Sequence, residues 1–183
     1  MGMAAPTYWT AEMVRALPDD GNRYEVVHGE LLVTPAPRAP HQLVVSRLHA
    51  RLFEYLENNP VGVVLASPAD ISWGRSDVLV QPDVFVVALE DARTLEWDRM
   101  RHLLLVVEVL SPSTARADRF VKRRRYQDAG VPLYWIVDVE TRRVEVWTPE
   151  AEFPHIEADR LTWRPAGAER PFELSLEELF RPL

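Results

Sequence analysis

Gln81-Pro82-Asp83-Val84-Phe85-Val86-Val87 and Leu103-Leu104-Leu105-Val106-Val107-Glu108-Val109-Leu110 decide the fold. Both are short apolar runs rich in β-branched residues, the pattern of strands covered on both faces. Pro82 lacks an N–H and suits the first position of a strand. Asp83 then stands at the mouth of one strand and Glu108 near the end of the other. An ionised carboxylate is costly to bury without a partner. Two of them on neighbouring strands repel each other unless a cation lies between them or one keeps its proton. A divalent metal meets that need, because magnesium takes one or two carboxylates, keeps several waters and accepts phosphate oxygens.

Outward from this pair, the chain mixes strands and helices without strict alternation. Residues 10–17 read as a short helix with Thr10 as N-cap and Met13, Val14 and Leu17 on one face. Residues 23–27 and 30–34 read as a hairpin around His28-Gly29. From 41 to 57, Val45, Leu48, Leu52 and Leu56 recur at helical spacing, with Val44 and Phe53 beside them. Strands are expected at 61–66 and 69–73, and a loop with a short helix over 90–102. Residues 118–129 read as a helix stopped by Gly130. A second hairpin joins 133–138 to 143–147 around Glu140-Thr141, and one further strand is expected at 161–164. Ser175-Leu176-Glu177-Glu178 is a capping box opening a final helix that offers Leu176, Leu179 and Phe180 to the core. The class is therefore α/β or α+β with a mixed sheet.

The 183 residues suffice for one domain, expected to span 1–183. There is no cysteine, which excludes disulfides and thiolate metal sites and fits a reducing cytoplasm. The first six residues carry no charged n-region or apolar h-region, so no signal peptide is expected. No apolar run approaches the ~20 residues of a membrane span. The net charge of −7 argues against broad, non-specific DNA binding. Residues 116–125 depart from that balance, with six basic side chains and one acid, Asp118.

The ordered blocks of this chain resemble the bacterial Uma-two family, within the restriction-endonuclease-like PD-(D/E)xK superfamily. The resemblance is carried by Tyr24-Glu25-Val26-Val27-His28-Gly29-Glu30-Leu31, His41 at a helix start, and Pro82-Asp83-Val84. It continues through Glu108-Val109-Leu110-Ser111-Pro112-Ser113-Thr114, then Asp118, Lys122 and Tyr126, and Gly130-Val131-Pro132-Leu133-Tyr134-Trp135-Ile136-Val137-Asp138. It implies a four-stranded mixed core sheet flanked by helices, here with additional N-terminal and C-terminal hairpin strands. It also implies an endonuclease activity that uses Mg²⁺ or Mn²⁺. The superfamily lysine two residues after the glutamate is absent: Val109 or Leu110 stands there, depending on the alignment. Lys122 is the matching position in this family, on the following helix, with Asp118 and Tyr126 at i−4 and i+4.

On this reading Asp83, Glu108 and the carbonyl of Val109 hold the metal. Lys122 assists at the phosphate, and Glu25 approaches from the first strand. His41, Arg119, Arg125 and Tyr126 contact a nucleic-acid substrate, expected to be DNA, with the basic stretch receiving its backbone. A homodimer is expected, since double-strand cleavage by such folds uses two sites. Structural accounts stand beside each role. Asp83 could satisfy backbone N–H groups at a strand start, and Glu108 could pair with Arg119. Glu25 could be an exposed carboxylate facing Arg23 or Arg47, and His41 a solvated helix-end residue. Tyr126 could be a core aromatic with one polar tip, and the basic run a solvated face. Two function classes remain open besides the nuclease. One is a catalytically silent nuclease-fold module that binds nucleic acid or a protein partner. The other, less supported, is metal-free sugar hydrolysis by a carboxylate pair.

Overall fold

The computed structural model describes residues 8–183; the expectation concerning a signal peptide falls on residues outside that range. Helix α1 (Ala11–Arg15) is capped as expected, with the Thr10 side chain accepting the Met13 N–H. Its buried face is Ala11 and Val14, whereas Met13 points outward. Strands β1 (Arg23–Val27) and β2 (Glu30–Thr34) pair antiparallel. Their turn holds both His28 and Gly29 at positive φ, 51° and 79°, as a type I′ turn requires. Helix α2 (Ala39–Asn58) begins two residues earlier than its periodicity suggested and buries His41, Val44, Leu48, Leu52 and Leu56. Phe53 falls off that stripe and is exposed.

Strand β3 (Gly62–Ala66) follows, and the strand expected at 69–73 reduces to a single bridge between Ile71 and Val80. Pairing is taken over by β4 (Val78–Leu79), which lies on β1. Strand β5 (Val84–Ala88) leads through α3 (Leu89–Ala92) to β6 (Leu103–Val109). A π-helical turn over Ala117–Lys122 runs into α4 (Arg123–Asp128). Gly130, at φ 70°, then ends the helix: Val131 N–H reaches Tyr126 O and Gly130 N–H reaches Gln127 O, the two bonds of a Schellman motif. Strands β7 (Tyr134–Asp138) and β8 (Arg143–Trp147) form the second hairpin. Beyond them come β9 (His155–Glu157), β10 (Arg160–Trp163), β11 (Phe172–Ser175) and α5 (Leu176–Leu179). Helix α5 buries Leu176, Leu179 and Phe180 as expected, but the Ser175 side chain makes no cap hydrogen bond.

The core sheet is mixed and has six strands in the order β3-β5-β6-β7-β8-β9, two more than the four implied by the resemblance. Among the described residues only the β6–β7 pair is parallel, and α4 lies in its connection. The two deciding runs are adjacent central strands, and Val84–Val87, Leu105–Val107 and Val109 are all buried. One face packs on α2 and the β10–β11 hairpin, through Val84, Val86, Val107 and Trp135. The other face carries Phe85, Val106, Tyr134 and Ile136, covered by Tyr126, Val27 and Val78. A register shift between Val86 and Val87 bulges the β6 side at Leu104. On the near side of that bulge, Val84 faces Val107 and Phe85 faces Val106. Continued by one residue, this register sets Asp83 opposite Glu108. A class of mixed α+β sheet flanked by helices is thus established, and it positions the two acids together.

Candidate active site

The site grows from three places in the chain that deliver charge to one buried volume. Strand β1 supplies Arg23 and Glu25, which share a face because a strand repeats every two residues. The β5 mouth and β6 supply Asp83 and Glu108. The π-helical turn supplies Asp118 and Lys122 to the cluster, and its wide turn separates them from Arg119 on the same segment. Exposure is 1% for Glu25 and Glu108, 2% for Asp118 and Lys122, and 5% for Asp83. None of these groups therefore relies on bulk water, so their mutual contacts decide their charge states.

Lys122 Nζ lies 2.7 Å from Glu108 Oε1, 3.1 Å from Glu25 and 3.4 Å from Asp118 Oδ1. Tyr126 donates its hydroxyl to Glu108 Oε1 at 2.9 Å, and the Gln81 N–H donates to Glu25 Oε1 at 2.7 Å. Asp83 is held separately. Arg23 Nη1 donates to its Oδ1 at 2.9 Å, the Val109 N–H to its Oδ2 at 2.8 Å, and His41 Nε2 lies 3.1 Å from Oδ2. Ser67 steadies Arg23 and ties back to the carbonyls of Gln81 and Pro82.

The charge balance of this volume is uneven. Four carboxylates (Glu25, Asp83, Glu108, Asp118) meet two permanent cations (Arg23, Lys122), a formal balance of 2 − 4 = −2. The proton affinities follow from it. Burial raises the Asp83 pKa, but the His41 hydrogen bond and the nearby Arg23 guanidinium more than offset this and hold it well below the usual carboxylate range. Burial pushes Glu108 well up, and the charges of Asp83, Asp118 and Glu25 add to that push against Lys122. Asp118 is likewise raised, first by burial. Burial disfavours the Lys122 ammonium, yet Glu108, Glu25 and Asp118 together raise its pKa further. Where no metal is bound, burial and mutual repulsion thus favour proton uptake by Glu108 and, less strongly, by Asp118.

Among the described residues no three His, Asp or Glu side chains are grouped as a metal-holding set. What the donor chemistry does offer is two carboxylates on facing strands and a surplus of −2, which one divalent cation would cancel. The residues fit such an ion on charge.

Several expectations change. Glu25 is not an exposed carboxylate: it is buried against Lys122, and Arg47 bonds instead to the carbonyls of Leu179 and Arg181. Glu108 does not pair with Arg119, which binds Glu145 at 2.6 Å and Asp138 at 3.4 Å. His41 is buried on Asp83 rather than solvated, and its Nδ1 has no hydrogen-bond partner. Asp83 does accept a backbone N–H, though from β6 rather than from its own turn. Tyr126 is fully buried. The basic stretch is not a single outward face: Arg125 is buried over the Trp73 ring at 4.6 Å, and Arg123 lies 4.4 Å over Trp147. Arg116 and Arg124 remain exposed. The structure therefore unites Glu25, Asp83, Glu108, Val109, Lys122, Tyr126 and His41, and leaves Arg119 and Arg125 outside. Arg23 was missed except as a foil for Glu25, although its place two residues before Glu25 on β1 was the available signal.

Two clefts open onto the Asp83 side of the cluster. One, of about 520 Å³, includes Tyr24, Gln42, Gln81 and Asp83 in its lining. The other, of about 200 Å³, includes Arg38 and the 111–114 loop. Arg23 and His41 line both.

A mixed sheet with an aspartate at one strand mouth, a glutamate on the next strand and a lysine returning from the following helix places the chain among nuclease-fold proteins. It belongs to the Uma2 family, described as "Putative restriction endonuclease", whose profile matches residues 11–180. The crystal structure of a "putative nuclease belonging to DUF820" from Anabaena variabilis ATCC 29413 has the same fold, with a TM-score of 0.74. It is 19% identical, over 93% of this chain and 97% of that one. No curated protein matches the chain. No helix among the described residues is long and apolar enough to cross a membrane.

Proposed function

We propose that this chain is a divalent-metal-dependent endonuclease that hydrolyses phosphodiester bonds of nucleic acid, DNA in the first instance. The observation that carries the reading is the buried surplus of two negative charges where Asp83 and Glu108 meet beneath two clefts. One divalent cation would cancel that surplus in place of protons. Asp83, Glu108 and the carbonyl of Val109 would hold Mg²⁺ or Mn²⁺. Bound there, the ion would supply a Lewis acid that lowers the pKa of water and offsets charge developing on the phosphate.

The chain's own residues have distinct tasks on this reading. Arg23 and His41, on the floor of both clefts, orient a phosphate beside Asp83. Lys122 keeps Glu108, Glu25 and Asp118 in place and offsets negative charge at the acids. Tyr126 fixes the Glu108 carboxylate through its hydroxyl. The protein acts as one nuclease-fold domain over 1–183, in the cytoplasm, and as a homodimer where both strands of a duplex are cut.

The second reading is a catalytically silent nuclease-fold module. One observation favours it: each acid of the pair already has a protein cation, Arg23 on Asp83 and Lys122 on Glu108. Calorimetric titration with Mn²⁺, followed by cleavage of plasmid and single-stranded DNA, separates the two. Metal binding and metal-dependent cutting, both lost in Glu108→Gln, support the nuclease. A protein that takes up no Mn²⁺ and cuts nothing is the silent module.

A further inference from the structure

The two clefts beside Asp83 differ in charge. The larger is lined by three aspartates, Asp19, Asp70 and Asp83, against two arginines, Arg15 and Arg23. Arg15 pairs with Asp70 and Arg23 with Asp83, which leaves the charge of Asp19 over. The smaller is lined by Arg38, by Arg23 from the pair with Asp83, by the hydroxyl-bearing Ser111, Ser113 and Thr114, and by no acid, which leaves the charge of Arg38 over. Residues 35–37 form a wall common to both. A phosphate is therefore repelled by the larger cleft and attracted to the smaller.

The remaining walls of the larger cleft are not built for an anion either. They include Tyr24, Val45, Leu79 and Pro35, with the side-chain amides of Gln42 and Gln81 among them. Neither amide makes an intramolecular side-chain hydrogen bond among the described residues. Apolar walls against a flat π-face, with carboxamides for the polar edge, suit a nucleobase. A space of about 520 Å³ lies in the range of small-ligand sites and admits one base. A base that is paired and stacked in a duplex cannot enter such a space without leaving its stack. The acids beside it are themselves buried: Asp83 is 5% exposed and Glu108 1%. The rod of a duplex meets those acids only at the rim. Between the clefts stands His41, on Asp83, with its Nδ1 free of any partner.

We propose that the larger cleft is a nucleobase pocket and the smaller a phosphate pocket, so that the substrate is single-stranded nucleic acid threaded across Arg23 and His41. This rests on the nuclease reading above and narrows its substrate class. The base beside Asp83 fixes the register of the strand, and the adjacent phosphate lies between Arg23 and Arg38.

The test uses three labelled 12-mers in fluorescence anisotropy, with Mn²⁺ and with EDTA: a single strand, the same strand in a duplex, and a single strand of abasic sugar-phosphate. The wild type is expected to bind the single strand at least ten-fold tighter than either of the others. Gln42→Trp, on the exposed first turns of α2, fills the larger cleft. It is expected to lose that ten-fold advantage while leaving the abasic strand unaffected. Arg38→Ala is expected to weaken the single and abasic strands alike. Duplex bound as tightly as single strand, or abasic strand as tightly as single strand, overturns the base pocket. The nuclease reading then stands if Mn²⁺-dependent cutting persists. If no strand is bound or cut with Mn²⁺, the nuclease reading falls and the base pocket with it. Should Gln42→Trp fail to fold, the wild-type comparison of single, abasic and duplex strands decides alone.

Discussion

Glu108 carries the tension of the site, because it is the acid that burial and three other carboxylates push most strongly toward its protonated form. Glu108→Gln keeps the shape and removes the titration. It is expected to abolish Mn²⁺ uptake in calorimetry while the metal-free protein melts no lower than wild type. The pH dependence has a definite sign. A group with a raised folded pKa adds stability below its unfolded value, about 4.3, and loses it as pH climbs through the folded value. Melting in EDTA from about pH 4.5 to 9 should therefore show wild type losing ground to Glu108→Gln as pH rises. A constant difference between the two would mean that the surplus charge is not held on Glu108. Asp83 has the opposite sign: its lowered pKa gives stability above about pH 4 that is lost only in strong acid. Lys122→Met removes the cation shared by three carboxylates. Breaking a buried pair costs about 3–5 kcal/mol, so this variant should be far less stable than Glu108→Gln in urea titration. If it unfolds at the same urea concentration as wild type, protons rather than Lys122 neutralise the cluster.

At the scale of elements, the turn after α4 is the simplest to test. Gly130 sits at φ 70° with open space where a Cβ would stand, so Gly130→Ala pays only backbone strain. That cost is about 1–2 kcal/mol, and thermal melting should lose several degrees without any change in metal uptake. Gly130 followed by Val131-Pro132 made this helix end legible in the sequence, as the His28-Gly29 pair did for the first hairpin and Thr10 for the first cap. The deciding strands were legible for a different reason: an unbroken β-branched run has few alternatives to a doubly covered strand. Where the sequence misled, a non-local contact or an unusual turn had taken over. Residues 69–73 are apolar enough for a strand, but β4 captures the β1 edge, so only Ile71 pairs. Ser175 has the capping pattern, yet its backbone leaves β11 directly into α5 and the side chain makes no cap bond. The π-helical turn left no periodic trace, because one widened turn of six residues shifts a phase without erasing amphipathicity. It nevertheless decides which basic residues reach the site: Lys122 is turned inward and Arg119 toward β7 and β8. The acids, the lysine and the order of blocks were therefore readable, while Arg23's part and the partners of Arg119 and Arg125 were not.

For the whole molecule, the question is how a protein of net charge −7 holds a polyanion. The basic run 116–125 suggested one broad face, but Arg119, Arg123 and Arg125 are taken by Glu145 and Asp138, by Trp147, and by Trp73. What remains near the site is Arg38, joined by Arg23 where its Asp83 partner is neutralised by a metal, enough for one or two phosphates. The logarithm of single-strand affinity should thus fall with the logarithm of salt at a shallow slope, roughly −0.7 to −1.4. Mn²⁺ should strengthen binding by cancelling the charge of Asp83 and Glu108 beside the phosphate. Arg119→Ala with Arg125→Ala distinguishes the two surfaces. Loss of a half-exposed ion pair should cost about 1 kcal/mol at most and loss of the buried Arg125–Trp73 stack about 2 kcal/mol, read as a lower melting temperature. Arg38→Ala should instead leave melting alone and flatten the salt slope by somewhat under one unit. If the double variant flattens the slope and Arg38→Ala does not, the strand runs along the helix side of the molecule. The ion pairs of Arg119 would then have to open when nucleic acid binds, and its partners Glu145 and Asp138 would become the groups that tune affinity.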